Sequence, residues 1–391
     1  MDSKLKGVGV VVEYNPFHNG HKYHYEKAKA EGDVVIAIMS GDFVQRGEPA
    51  VVNRWERAEM ALRNGVDIVV ELPIFYSTQS AEIFSRGAVG ILDKLKVKKI
   101  VFGSETGDIE KLLERGKLEE KEEFQENLRK ELKKGQSYPT AYSKTLEILG
   151  INNTLNSNDI LGVEYIKAIE FWKSSIVPVA IKREKAGYYS EDSVEGISSA
   201  TGIRKRLEKN EDYKDVVPEA TYNLLKNAYE NGSIAKLEDF YPLIRHKILL
   251  DREKIFEIQD IEIGYSNKLF EVALKNRYYK EFFQELITKR FTIGRTQRML
   301  IHILLGITKK DTEVVKNRVP YIRVLGFNKN GQEYLKQIKK DEDLIVLTSL
   351  KNIKKMMGDE DLKLLELNEV ASKIYSMINN YEDKKIPLIF K

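Results

Sequence analysis

Gly7-Val8-Gly9-Val10-Val11-Val12-Glu13-Tyr14-Asn15-Pro16-Phe17-His18-Asn19-Gly20-His21 is the stretch that decides how the rest of the chain is read. Its first six residues are apolar or glycine without polar alternation, which predicts a strand buried on both faces. A polar loop over 15–20 interrupts it. Helical sequence follows through Ala30, with Gly32 placed to stop the helix in a left-handed conformation. A second buried strand is expected over 34–39. Asn53-Arg54-Trp55-Glu56 has capping-box spacing and opens a helix to Arg63, ended by Asn64-Gly65. Residues 66–72 and 99–102 predict the third and fourth strands. Strands separated by helices need parallel crossovers, so this region predicts a doubly wound α/β sheet.

Outward from there, residues 108–134 carry mixed charge, the signature of solvated helix faces. An amphipathic helix is expected over 159–172 and a fifth strand over 176–181. The pattern loosens over 210–243, where Pro218, Gly232 and Pro242 punctuate short helical pieces. The domain boundary is placed there, giving an α/β domain over 1–215 and a mainly helical one over 216–391. Within the second, 244–308 reads as mostly helical and 321–350 as strand–helix–strand.

Composition narrows the classes. The 391 residues are 42% hydrophobic and 32% charged, in the range of a soluble globular chain. No apolar run reaches membrane-span length, and the N-terminal one is too short for a signal peptide. The absence of cysteine excludes disulfides, thiolate metal centres and a cysteine nucleophile, and fits a cytoplasmic protein. A net charge of +4 does not by itself point to nucleic acid.

His18-Asn19-Gly20-His21 follows the first strand, where an open parallel sheet places its ligand. Gly20 lets a bound group approach the backbone, and the helix N-terminus offers N–H groups to phosphate. His18 and His21 fall on one side of the first turn, where donors can stabilise charge developing on phosphorus. The plain alternative is that they cap or pack. His24 extends the series to i+6, but that residue has rotated far from His18, so no metal site is expected. In a second segment, Ser198, Ser199 and Thr201 lead into a helix whose start carries Arg204, Lys205 and Arg206. Alone this reads as a capped basic helix; coupled to the first segment it reads as a polyphosphate grip.

Together the two segments resemble the signatures of the HIGH-motif nucleotidyltransferase superfamily, the second one residue longer than usual. The resemblance implies a Rossmann-like catalytic sheet, an ATP triphosphate held by both elements, and attack at the α-phosphorus with pyrophosphate leaving. An ordered set of further motifs is similar to one family within it. These are Val11 to His21, Met39-Ser40-Gly41-Asp42-Phe43-Val44-Gln45-Arg46-Gly47-Glu48-Pro49, Val70-Glu71-Leu72-Pro73, Phe102-Gly103-Ser104-Glu105 and Asn158 to Tyr165. The family is the bacterial tRNA-Met cytidine acetate ligases, and the resemblance spans at least 7–207. It implies a ligase that makes acetyl-adenylate from acetate and ATP and acetylates the N4 amine of the wobble cytidine of elongator tRNA-Met. Magnesium is expected to accompany the phosphates.

Carried over by residue, the resemblance implies an ATP site of Val11, Val12, Glu13, Tyr14, Asn15, Pro16, Phe17, His18, Asn19, Gly20, His21, Lys22, Tyr23 and His24, with Gly103, Asn158 and Arg183. Ser198, Ser199 and Thr201 join it from the second segment. His18, His21 and Arg204 are the expected catalytic groups. Asn158 either reads the adenine edge or caps its helix. Arg46 either holds the acetate carboxylate or sits in a surface loop, and Glu71 is either a site carboxylate or an arginine's partner. Trp55 and Phe75 read as core. Gly187-Tyr188-Tyr189-Ser190 departs from the family, where a histidine is expected.

The second half needs a use. From 286 to 325 there are nine basic residues against two acidic ones, a local net of +7. A phosphate-backbone contact would leave such a footprint, as would a solvated basic helix. Arg290, Arg295, Arg298, Lys309 and Lys310 are the expected tRNA contacts, with Phe291 positioned to stack on bases. Two other readings stay open: a small-molecule adenylyltransferase building a dinucleotide-like cofactor from a phosphomonoester, and a non-catalytic RNA-binding protein.

Overall fold

A computed structural model describes residues 4–151, 155–183, 196, 198–339, 345–351, 353–379, 381, 383, 384 and 386–390, with the side chain of Lys354 excepted. The strands are β1 (Gly7–Val12), β2 (Val34–Ser40), β3 (Phe43–Val44), β4 (Glu48–Pro49), β5 (Ile68–Leu72), β6 (Lys99–Ser104), β7 (Val177–Lys182), β8 (Ile322–Phe327), β9 (Val346–Leu347) and β10 (Leu388–Ile389). The main sheet runs β10-β8-β5-β2-β1-β6-β7, with β9 on β8. β1, β2, β5, β6 and β7 are parallel to their neighbours among one another.

Both faces of the central strands β1, β2 and β5 are dry. Along β2, Val34, Ile36 and Ile38 belong to one hydrophobic cluster, and Val35, Ala37 and Met39 to the other. Period-two side-chain direction thus serves two cores, which is why no polar alternation marks the sequence. From β1 the chain winds to β2 and β5 on one side and to β6 and β7 on the other. The switch point lies between β1 and β6, so the crevice at their C-terminal ends is open to a ligand.

Local signals hold at most element ends. Asn53 accepts from the backbone of Trp55 and Glu56 and donates to Glu56 Oε2 at 2.6 Å, the expected cap. Trp55 and Phe75 are core. Gly32 is a correction. The helix Asn19–Lys29 ends at Ala30 in right-handed backbone, and Gly32 is not left-handed; it lies where a Cβ would meet Val8 at 2.6 Å.

The expected boundary at 215/216 does not bound the sheet. β8 pairs antiparallel with β5, placing Arg323 opposite Glu71, and β10 pairs with β8. The helix Asp359–Asn379 docks behind this edge: Asn368 Oδ1 accepts from Ile74 N at 2.9 Å and Tyr375 donates to Ala50 O at 2.7 Å. An ionic cluster seals the joint. Buried Arg54 meets Glu71 at 2.8 Å, Asp383 at 3.0 Å and Glu369 at 3.4 Å, and Arg323 also pairs with Glu369. Glu71 is therefore an arginine's partner. Among the described residues no helix is long and apolar enough to cross a membrane.

Candidate active site

A cavity of about 370 Å³ opens at the switch point. The loop and helix after β1, the β3–β4 hairpin, the ends of β6 and β7, the helix Ser157–Phe171 and the turn leading into the helix Ala200–Lys209 all contribute to it. From the first come Val11, Val12, Glu13, Asn15, His18, Gly20, His21, Tyr23 and His24. Gly103, Asn158, Arg183, Ser198, Ser199, Thr201, Arg204 and Arg46 line it as well.

Five residues expected at the ATP site do not line it. Tyr14 and Phe17 are buried with rings 5.0 and 5.8 Å from that of His21, so they brace the imidazole from behind. Pro16 joins Asn15 through a cis peptide bond, and Lys22 points to solvent. Asn19 has a different use: its amide donates to Gly196 O at 2.9 Å and Asp215 O at 3.0 Å. It ties the first phosphate segment to the chain around the second, across nearly two hundred residues.

The two imidazoles stack, with ring centres 3.7 Å apart and planes tilted by 25°. His21 Nδ1 accepts from His18 N at 3.3 Å, which leaves its Nε2 to carry the proton. Burial pushes the His18 pKa down to about 3, helped by the guanidiniums of Arg183 and Arg204. Burial likewise holds His21 well below the usual value, with His18 and His24 adding to it. His24 is lowered to about 4 by burial, and its Nε2 lies 3.0 Å from Val101 O. The imidazoles are thus neutral hydrogen-bond donors at physiological pH. Among the described residues His18 Nδ1 and Ser198 Oγ, both buried, have no hydrogen-bond partner. Such orphaned groups are costly unless a ligand completes them.

Ser199 caps its helix by accepting from Gly202 N at 3.0 Å. Arg204 donates to Asn15 O at 2.8 Å, lies 3.4 Å from Thr201 Oγ1 and meets Glu48 at 3.5 Å. Gly103 has a steric reason: a Cβ there would sit 3.1 Å from Arg183 Cγ, and the arginine crosses that spot. Asn158 donates one amide N–H to Glu105 Oε1 at 2.6 Å, which fixes the amide and leaves its second N–H and its oxygen to face an adenine. Asn158 does not cap its helix, whose N-cap is Asn156; beside it, Asp159 accepts from Ser104 Oγ and from Glu105 N at 3.1 Å, holding the end of β6.

Sequence reasoning overlooked Ser157, Tyr165, Phe84 and Lys182, which also line the cavity. It also missed Gln297, whose amide donates to Glu48 Oε1 at 3.0 Å. Lys182 adjoins an expected residue and Tyr165 closes an expected motif, but no local signal marks Gln297. The departure at 187–190 lies outside the described residues.

The expected RNA contacts are mostly engaged within the protein. Arg290 and Arg295 share Glu262 at 2.7 and 2.9 Å, and Arg298 lies 3.8 Å from Asp260. Lys309 donates to Phe256 O at 2.7 Å, and Lys310 is exposed. Phe291 corrects the stacking expectation. It is 5% exposed and stacks on Tyr265 at 3.7 Å, under the Arg295 guanidinium. Among the described residues, no group of three or more His, Asp or Glu converges as a cation cage.

The HIGH Nucleotidyl Transferase family matches residues 5–386. The tRNA(Met) cytidine acetate ligase of Fusobacterium nucleatum subsp. nucleatum is 45% identical over 397 residues, covering 98% of each chain. That of Caldanaerobacter subterraneus subsp. tengcongensis is 41% identical, covering 95% of each. The crystal structure of Thermotoga maritima TmcAL bound with alpha-thio ATP is 34% identical, with a TM-score of 0.88 over 98% of this chain and 99% of that one. The apo form matches at 0.90 with the same identity and coverage.

Proposed function

Because the chain belongs to the tRNA(Met) cytidine acetate ligase family of HIGH nucleotidyl transferases, we propose the following course for its reaction. ATP binds with its phosphates between His18, His21 and the turn from Ser198 to Arg204. Acetate, its carboxylate held by Arg46, attacks the α-phosphorus, and pyrophosphate leaves. Negative charge on the transferring group grows in the transition state. The His21 Nε2–H and the guanidiniums of Arg183 and Arg204 are aimed where it grows, in a partly dry site. Magnesium bound with ATP would be held mainly by phosphate and water, and would neutralise charge on the pyrophosphate that leaves. The N4 amine of the wobble cytidine of elongator tRNA-Met then attacks the acetyl-adenylate. Like other enzymes that act on a base, this one needs the cytidine unstacked.

One observation carries this reading. His18 Nδ1 and Ser198 Oγ, from segments 180 residues apart, are both buried, unpartnered among the described residues and on one cavity wall that Arg183 and Arg204 share. That is a site waiting for an anion. Residues 1–215 then carry the adenylation chemistry and residues 216–391 meet the tRNA, through Arg290, Arg295, Arg298, Lys309 and Lys310. An enzyme of tRNA maturation works in the cytoplasm.

The test is ATP–pyrophosphate exchange with magnesium, measured with and without acetate and repeated with tRNA-Met. Acetate-dependent exchange supports the reading. Exchange with a phosphomonoester but not with acetate would replace it by a cofactor adenylyltransferase. His21→Ala is expected to abolish exchange while tRNA binding stays near wild type; equal loss of both would contradict the division of labour.

A further inference from the structure

The second half-reaction needs a group to take a proton from the attacking amine. We infer that Glu13 is that group, an inference that rests on the ligase reading above. Glu13 follows β1 directly, lines the cavity and reaches the turn of the β3–β4 hairpin. Gln45 N donates to its Oε1 at 3.0 Å, and Arg57 donates to its backbone oxygen at 2.7 Å. Both ends of the residue are therefore fixed, as a proton acceptor aimed at a bound substrate must be.

The other polar groups on the wall do not suit the task. Arg46, Lys182, Arg183 and Arg204 are donors without an acceptor position. His18 and His24, lowered to about 3 and 4, cannot hold a proton at neutral pH, and His21 is held well below its usual value. Burial raises the Tyr165 hydroxyl, so it stays protonated. Among the described residues two carboxylates line the cavity. Glu48 is engaged by Arg204 at 3.5 Å and Gln297 at 3.0 Å. Glu13 is left. Burial raises its proton affinity, Glu48 adds to this, and Gln45 N, Arg204 and Arg46 oppose it. A carboxyl moved upward is better matched to proton transfer near neutral pH than an ordinary one.

In the step, N4 of cytidine attacks the acetyl carbonyl carbon and a C–N bond forms. The C–O bond to the adenylate phosphate breaks, and its electron pair leaves on AMP. The N4 proton passes to the Glu13 carboxylate and then to solvent as products depart.

Glu13→Gln and Glu13→Asp test this in the full chain, with ATP, magnesium, acetate and tRNA-Met. Three readouts are compared: ATP–pyrophosphate exchange, trapping of the acetyl-adenylate by hydroxylamine, and single-turnover acetylation of tRNA. Hydroxylamine is a strong nucleophile that needs no base, so trapping reports the intermediate alone. In Glu13→Gln, acetylation should fall about 10²-fold more than trapping or exchange does. Wild-type acetylation should rise with pH to a plateau. Glu13→Asp should keep that limb at a reduced rate, and Glu13→Gln should lose it. Equal loss in all three readouts would make Glu13 a binding or folding residue and overturn the inference, as would unchanged acetylation. No acetate-dependent trapping by the wild type would instead remove the ligase reading, and the inference with it.

Discussion

Replacing Gly47 with alanine should damage the site from outside it. Gly47 has φ of +76°, and a Cβ there would lie 2.1 Å from Arg298 N and 2.4 Å from the carbonyl carbon of Gln297. Both are backbone atoms of the helix Ile293–Leu305, which cannot yield locally. Left-handed backbone costs alanine ~1 kcal/mol relative to glycine, and forced overlap adds roughly 1–3 kcal/mol. Restoring ordinary contact requires a separation of about 3.5 Å, so the hairpin, two residues per strand, must lift. Its lift breaks the 3.0 Å bond from Gln297 to Glu48 and the 3.5 Å contact from Glu48 to Arg204. A misplacement of about 1 Å at a catalytic group costs on the order of 10²-fold in rate. Acetate-dependent ATP–pyrophosphate exchange should fall by that order, with a loss of ~2–4 kcal/mol in urea denaturation. Gly150→Ala is the control: its φ is +71°, but nothing lies within 4 Å of the added methyl. It should lose only ~1 kcal/mol and no exchange activity. If both variants exchange alike, the hairpin is not what holds Arg204, and the reasoning fails.

Arg54→Met removes a fully buried guanidinium from Glu71, Asp383 and Glu369 and should cost roughly 3–5 kcal/mol, because buried Glu71 loses its nearest cation and keeps only Arg323 at 3.8 Å. Urea denaturation measures the deficit, and a loss under ~1 kcal/mol would count against the cluster. The His18 pKa, lowered from 6.5 to about 3, contributes stability present above the unfolded value and lost as pH falls toward the folded one. His18→Gln should therefore show a shallower fall in melting temperature over that window, and the His18 ring resonances should not titrate above pH 5. Arg290→Gln and Lys310→Gln should each lower the salt slope of tRNA binding by about 1, read from filter binding at several salt concentrations. Phe291→Ala should instead destabilise the helical half by roughly 3–5 kcal/mol, seen in denaturation rather than in the salt slope.

Much of this molecule is legible before folding. The run Gly7–Val12 and the two strands after it in the sheet's centre needed only hydrophobic continuity, because both faces are covered there. His18, Gly20 and His21 were legible because loop, helix start and histidine spacing are all local. Phe291 misled for an equally local reason. An aromatic among arginines looks the same whether it faces RNA or, as here, Tyr265. Gln297 was invisible, since its partner Glu48 lies 249 residues away and a lone glutamine carries no pattern.

The sequence by itself therefore determined the parallel core, the position of the ligand crevice and the residue types gathered around it. Each follows from periodicity or from spacing within a few residues. Tertiary structure alone decided that β8 from the second half would close the sheet against β5, with Arg323 beside Glu71. It also decided that Asn19 would hold the chain at Gly196 and Asp215, that the His18 imidazole would be neutral, and that Glu13 would be a half-buried carboxylate rather than a surface one. Pairing across hundreds of residues depends on which surfaces remain uncovered once the local elements exist. A titratable group's charge depends on the dielectric and the cations that folding brings to it, and no window of sequence contains either.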